Sequence, residues 1–357
     1  MATQTSIGQL LISADSHVVE DPQFWVQNLP ADLAEHLPQF RARVSTAVHS
    51  ATALNAQRPG GWDPTERVKE MAEDSVSAEI LYPSLGLRLF SVEHAAAQEA
   101  AFASYNDWLI EYCQSAPERL YGIACISCYN IDNAVKELER AKKAGMIGAL
   151  IWQVPHDDMP FTSEHHEKLW AAAAALNMPI HLHILTGFDY NAKGFDARGN
   201  GIEAYRGSVN LKLGSATNAM FDLIFSGVLD RHPALKFVFV ESEIGWIPFM
   251  LQQWDFYFNR FRNDRVVPID EAPSTYFNRQ MYATFFNDPV GGTLLSSWGT
   301  DNCMWSTDYP HANSSWPHSR ELAEANLGHL SQETITKLVT GNVAKLYDLE
   351  LPEPLGV

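Results

Sequence analysis

Eight short apolar runs, at 10–14, 79–82, 120–126, 148–152, 178–184, 236–240, 281–285 and 303–306, constrain this chain more than any other feature. Most are followed by a longer helix-like stretch. Apolar runs bounded by Gly, Pro or Asn that alternate with amphipathic segments predict parallel βα units, and eight of them predict a closed (β/α)8 barrel. The segment 131–144 illustrates the helical half of a unit, with Ala134, Val135, Leu138 and Ala141 on one face and Gly145 as the stop. At 357 residues the chain is long, but such barrels run long as one unit, so a single domain over 1–357 is expected. Insertions near 21–63 and 186–214 interrupt it. Loops of that length in a compact domain predict lids or subunit contacts.

Four of the runs stop at a carboxylate or an imidazole. Asp15-Ser16-His17 follows the first, His181-Leu182-His183 ends the fifth, Glu241 follows the sixth, and Asp308 follows the eighth within Ser306-Thr307-Asp308-Tyr309-Pro310-His311. Residues at the carboxyl ends of barrel strands converge on one mouth, and mixed imidazole and carboxylate donors are what a catalytic divalent cation takes. Asp15 and His17 are two apart on an extended segment and so share a face, as do His181 and His183, of which one lies deeper.

Composition narrows the partners. Asp and Glu outnumber Lys and Arg by 43 to 25, a net charge of −18 that repels polyanions, so neither nucleic acid nor an anionic membrane is expected as a partner. The start lacks a basic then apolar leader, and no stretch has the length to span a bilayer; a soluble, cytoplasmic protein acting on a small-molecule substrate is expected. Cys113, Cys125, Cys128 and Cys303 are too sparse for a disulfide framework, and Cys125-Ile126-Ser127-Cys128 has no second pair to make a zinc site. The aromatic stretch 246–261 predicts helix–barrel packing and a subunit face, hence a homo-oligomer, either dimer or tetramer.

Several segments together resemble one family: Ala14-Asp15-Ser16-His17-Val18-Val19-Glu20-Asp21-Pro22, Trp62-Asp63-Pro64 to Arg67, Tyr105-Asn106-Asp107-Trp108, Pro117-Glu118-Arg119-Leu120, Pro179 to His183, Glu241 to Pro248, and Ser306 to His311 with Trp316-Pro317. The chain resembles the amidohydrolase-related family, the aminocarboxymuconate-semialdehyde decarboxylase-like branch of the amidohydrolase superfamily. The resemblance implies one divalent ion, Zn²⁺ first and Mn²⁺ as the alternative, held by Asp15, His17, His183 and Asp308. Two places depart from the family pattern. Asp15 stands where His is common, which favours a harder ion. Glu241 stands where the family's decarboxylases carry a proton-handling His.

A Glu beside a cation is expected to stay ionised and to act as a base or as an additional ligand, the alternative being a carboxylate that only orients His183 or holds the following loop. The expected reaction is therefore hydrolysis by a metal-activated water, with Glu241 or Asp308 as base and His311 as acid; Glu243 and His318 are further acid candidates. Non-oxidative decarboxylation of a hydroxyaromatic or unsaturated carboxylic acid is the alternative, and a barrel retained only as a scaffold is a third reading. His181, Phe188, Tyr190, Arg206 and Trp316 are expected to contact substrate. Arg88, Arg206 and Arg320 are the candidates for a bidentate clamp on a substrate carboxylate, and Glu20 is expected to be structural.

Overall fold

The computed structural model describes residues 10–40, 58–187, 202, 210, 212–311 and 313–355. Eight parallel strands run in sequence order around a nearly closed barrel: β1 (Ile12–His17), β2 (Ala78–Tyr82), β3 (Leu120–Cys125), β4 (Gly148–Ile151), β5 (Ile180–His183), β6 (Phe237–Val240), β7 (Met281–Phe285) and β8 (Cys303–Trp305). Each coincides with one of the apolar runs. The largest shift is at β1, which the apolar pattern places at 10–14 but which continues through His17. Its last residues are polar, yet all six are buried, so hydrophobicity alone does not mark where this strand ends.

The barrel closes between β1 and the segment leaving β8. His17 N–H donates to Tyr309 O at 2.6 Å and Asp308 N–H donates to Asp15 O at 2.9 Å. The pairing of β1 with β2 slips between Ser13 and Ser16, so Asp15 sits in a bulge that re-aims it. Behind this seam lies a polar layer. The Ser16 hydroxyl donates to Glu79 Oε1 at 3.1 Å, and Arg67 Nε donates to Glu79 Oε2 at 2.5 Å. The Arg67 guanidinium also reaches His17 O (2.7 Å), Gly60 O (3.2 Å) and Tyr309 O (3.4 Å), which accounts for a fully buried arginine.

Arg67 is carried by α1 (Pro64–Glu73), whose start follows from local chemistry: the Asp63 carboxylate accepts from Thr65 N and Glu66 N, and Pro64 takes the first turn. The other barrel helices are α2 (Ala95–Gln114), α3 (Ile131–Lys143), α4 (Glu167–Ala175), α5 (Lys212–Phe225), α6 (Ile247–Phe261) and α7 (Ser319–Leu327). On α3 the buried residues are Ile131, Ala134, Leu138 and Ala141, and Gly145 at φ +97° permits the exit turn. A last helix, α8 (Asn342–Tyr347), packs at the strand-entry end: Asn342 Nδ2 donates to Cys303 O at 2.7 Å, and Thr340 just before it donates to Leu10 O at 2.6 Å.

The aromatic stretch is α6. Trp254 and Phe258 are buried against the barrel, while Phe249, Phe256 and Tyr257 remain more than half exposed. All four cysteines are free thiols. Among the described residues no helix is long and apolar enough to cross a membrane.

Candidate active site

Asp15, His17, His183 and Asp308 converge at the strand-exit mouth, all fully buried. His17 Nε2 lies 3.4 Å from Asp15 Oδ1 and 3.4 Å from Asp308 Oδ1, and His183 Nε2 lies 3.9 Å from Asp15 Oδ1. Their donor atoms belong to two overlapping clusters tight enough to surround one cation: Asp15, His17 and His183 in one, His17, Glu241, Asp308 and His311 in the other.

Two observations test whether a cation fits. The first is tautomeric. His17 Nδ1 sits 2.8 Å from Pro83 O and His183 Nδ1 sits 2.7 Å from Ile184 O, and a carbonyl can only accept, so both rings carry their proton on Nδ1. Their Nε2 atoms, 3.3 Å apart, then present lone pairs to each other. That contact is repulsive as it stands and becomes favourable with a cation between. The second is that all four carboxylate oxygens of Asp15 and Asp308 are buried and accept no hydrogen bond among the described residues. The donor set fits a divalent ion.

Electrostatics agree. Burial raises the Asp15 carboxyl above its ordinary range, and burial together with Asp15 raises Asp308 strongly. Burial lowers His17 well below the ordinary imidazole value and His183 to about 3. Neutral imidazoles are what a metal takes, whereas the carboxylates need positive charge nearby to ionise.

Backbone strain is concentrated here too. Glu241, Glu243 and Asp308 adopt φ of 56°, 54° and 55°, a left-handed conformation that costs a non-glycine residue roughly 1–3 kcal/mol. At β6 and β8 it turns the chain sharply at the strand exit, bringing Glu241 and Asp308 to the histidines. Glu241 Oε2 lies 3.5 Å from His183 Nε2 and its Oε1 lies 3.7 Å from Lys212 Nζ. Burial and the neighbouring Asp308 push the Glu241 carboxyl up to about 8. A cation at the site acts the other way and favours the ionised form.

His311 stacks on His17 at 3.7 Å between ring centroids, with Nδ1 2.9 Å from Asp308 Oδ1 and Nε2 2.9 Å from Ser84 Oγ. The Ser84 hydroxyl donates to Val18 O at 2.7 Å, so toward His311 it accepts, and His311 Nε2 carries a proton. His311 Nδ1 and Asp308 Oδ1 lie 2.9 Å apart but do not meet in hydrogen-bond geometry. Ser84 therefore fixes the proton on His311 Nε2 and leaves Nδ1 beside Asp308, placed to take up and deliver a second proton.

The other sequence candidates fall elsewhere. His181 is one layer deeper, its Nδ1 2.7 Å from Tyr82 OH and its ring stacked on Tyr347 of α8, and burial lowers it to about 3. The indole N–H of Trp316 donates to Glu70 O at 3.0 Å and Arg58 lies over its ring, away from the cluster. Glu20 is structural as expected: its carboxylate accepts from Ser84, Leu85 and Gly86 N–H at 2.9–3.1 Å. The Glu243 carboxylate accepts from Phe286 N at 3.3 Å and is pushed up to about 7 by burial and Asp288. Exposed His318 pairs with Glu321. Arg88 lies over Phe40, and Arg320 sits on α7. Phe188, Tyr190 and Arg206 lie outside the described residues. Sequence reasoning missed Ser84 and Lys212. Ser84 follows directly on β2 and was within reach of a strand-end argument; Lys212, at the close of a long insertion, carries no such signal.

Comparison with known proteins places the chain. The family model described as amidohydrolase matches residues 14–349, and the chain belongs to that family. Among curated relatives, γ-resorcylate decarboxylase of Polaromonas sp. (strain JS666 / ATCC BAA-500) is 25% identical over 297 residues, covering 79% of this chain and 86% of the relative. Among solved structures, an amidohydrolase from Mycobacterium avium subsp. paratuberculosis K-10 aligns over 97% of this chain and 100% of its own, with a TM-score of 0.77 and 17% identity. A dihydroxybenzoic acid decarboxylase from Polaromonas sp. JS666, with bound manganese and the inhibitor 2-nitroresorcinol, aligns over 95% and 97% with a TM-score of 0.71 and 20% identity. The expectation of hydrolysis is corrected here: the curated relative is named for decarboxylation.

Proposed function

We propose that this protein is a divalent-metal-dependent, non-oxidative decarboxylase of hydroxyaromatic carboxylic acids, with Mn²⁺ as the working ion. The observation that carries the reading is the placement of His311, whose Nδ1 stands 2.9 Å from Asp308 Oδ1 beside the candidate metal donors, in a family whose curated relatives are named decarboxylases. Decarboxylation needs one proton delivered to carbon, and hydrolysis does not. Three carboxylates within reach of the two imidazoles suit a hard ion better than zinc, in line with the manganese described for the Polaromonas enzyme.

Asp15, His17, His183 and Asp308 would hold the ion, with Glu241 beside them. A bound ion supplies Lewis acidity to the substrate's oxygens and keeps the liganding carboxylates ionised. With Asp308 ionised beside it, His311 Nδ1 is where the proton to be delivered would be taken up. His311 gives it to the ring carbon that bears the carboxylate; the bond from that carbon to the carboxylate then breaks, its electron pair restores the aromatic ring, and CO₂ leaves. Ser84 keeps Nε2–H engaged, so Nδ1 is the nitrogen that delivers. Stacking on His17 fixes the ring plane.

Incubation of the Mn²⁺-loaded enzyme with hydroxybenzoates should yield stoichiometric CO₂ and the corresponding phenol, with one solvent deuteron on the product ring in D₂O. Ester or amide cleavage without CO₂ would reject the reading.

A further inference from the structure

We infer that Lys212 is the specificity-determining cation of this site: its ammonium meets the carboxylate of the substrate, and Glu241 holds it in place when substrate is absent. The inference rests on the decarboxylase reading and adds to it a recognition element for the group that is lost.

Charge makes the first argument. Asp15, Asp308 and Glu241 bring three carboxylates to one mouth, and with a divalent ion and Lys212 the ionised set is neutral. An anionic substrate then needs a cation that can exchange partners. Arg67, buried beneath the site, cannot do so, because its guanidinium donates to Glu79, His17 O, Gly60 O and Tyr309 O. Lys212 can. Its side chain is 25% exposed where Glu241 is 8%, and Nζ stands 3.7 Å from Glu241 Oε1, an ion pair longer than a hydrogen bond. Among the described residues it makes no closer polar contact.

Position makes the second. Lys212 Nζ lies 3.7 Å from Glu241 Oε1, and the other oxygen of that carboxylate lies 3.5 Å from His183 Nε2, so the ammonium stands at the mouth beside the candidate metal donors. Lys212 opens α5, while Glu241 ends β6 in a strained left-handed turn. The pair thus joins a mobile, four-carbon stem to a fixed carboxylate. An arriving carboxylate takes over the ammonium with a charge-assisted hydrogen bond, and Glu241 keeps His183 as its neighbour at 3.5 Å. Recognition by one flexible point charge, and not by a planar guanidinium fork, suits ring acids whose carboxylate is already oriented by the metal and a neighbouring hydroxyl.

The test uses two ligands that differ only in the carboxylate, γ-resorcylate and resorcinol, titrated calorimetrically into the Mn²⁺-loaded full-length protein. Lys212→Met should weaken γ-resorcylate by about tenfold or more, as loss of a charge-assisted bond does, and leave resorcinol within about twofold. Lys212→Arg should restore most of the difference. In turnover, Lys212→Met should raise KM with kcat held within about threefold. Equal weakening of both ligands would make Lys212 part of the pocket's shape, and no weakening, or a wild-type protein that binds γ-resorcylate no better than resorcinol, would remove it from recognition; each result overturns the inference. Failure of the decarboxylase reading shows separately, as absence of CO₂ from the wild-type enzyme.

Discussion

The backbone N–H of Asp308 donates to the carbonyl of Asp15 at 2.9 Å, so the hydrogen bond that closes the barrel also sets the separation of two candidate metal carboxylates. Thr307 N–H donates to Ser13 Oγ at 2.9 Å beside it, and Arg67 ties His17 O to Tyr309 O from behind. Residues from the two ends of the sequence become neighbours only when the eighth unit has docked on the first. Fold completion and site formation are the same event here.

If the four converging residues hold the ion, His183→Ala should lose most of the bound metal, measured by elemental analysis after dialysis, with circular dichroism unchanged. His181→Ala is the contrasting case. It removes a buried ring hydrogen-bonded to Tyr82 and stacked on Tyr347, so it should cost about 2–4 kcal/mol in denaturant unfolding while keeping the metal stoichiometric. Metal retained by the first variant, or lost by the second, would contradict the assignment.

Arg67 predicts a stability effect with a recoverable part. Arg67→Ala leaves Glu79 buried without its charged partner and removes a donor from His17 O, Gly60 O and Tyr309 O, and should destabilise by roughly 3–5 kcal/mol. Adding Glu79→Gln to that variant should recover part of the loss, because the uncompensated charge is gone. A single variant as stable as wild type would show that this seam is held by the strands alone.

The proton assigned to His311 Nδ1 predicts a graded series. His311→Asn should lower kcat by about a hundredfold or more with the metal retained, as loss of a general acid does. Ser84→Ala leaves the ring but frees Nε2, and should lower kcat less while altering the pH profile on its acidic side. If Ser84→Ala changes KM alone, Ser84 touches substrate and does not set the tautomer.

Much of this was legible in the sequence, for identifiable reasons. All eight strands were, because parallel barrel strands are buried on both faces and read as plain apolar runs. The convergence of Asp15, His17, His183 and Asp308 was legible too, because strand exits share one mouth and the family resemblance implies the same four. What escaped depends on tertiary placement. The burial of Glu241 is set by elements far away in sequence and left no local signal. Ser84 matters only through His311, and Lys212 only because α5 begins at the mouth. That one of His181 and His183 lies deeper was anticipated; that it is His181, stacked on Tyr347 of α8 and away from substrate, was not.

The final prediction concerns pH and the metal-free protein. In the folded state the carboxyls of Asp15 and Asp308 are raised above their ordinary range, Glu241 lies at about 8 and Glu243 at about 7, so above the ordinary carboxylate range the native state holds more protons than the unfolded chain. Stability from these groups falls as pH rises toward 8. His17 is lowered well below 6.5, and His166, His181 and His183 lie at about 3, so below 6.5 the unfolded chain gains protons that these rings refuse, and stability from them falls as pH drops. Above 6.5 only the carboxyls act; below it the two groups oppose each other. The apo protein in chelator should therefore gain several degrees in melting midpoint as pH is lowered from about 8.5 to about 6.5, and then level off. Saturating Mn²⁺ should flatten the alkaline limb, because an ion at the site holds the carboxylates ionised without penalty and favours the native state by mass action. An alkaline limb of equal slope with and without Mn²⁺ would mean that the titrating carboxyls do not face the ion, and Asp15 and Asp308 would no longer be candidates to hold it.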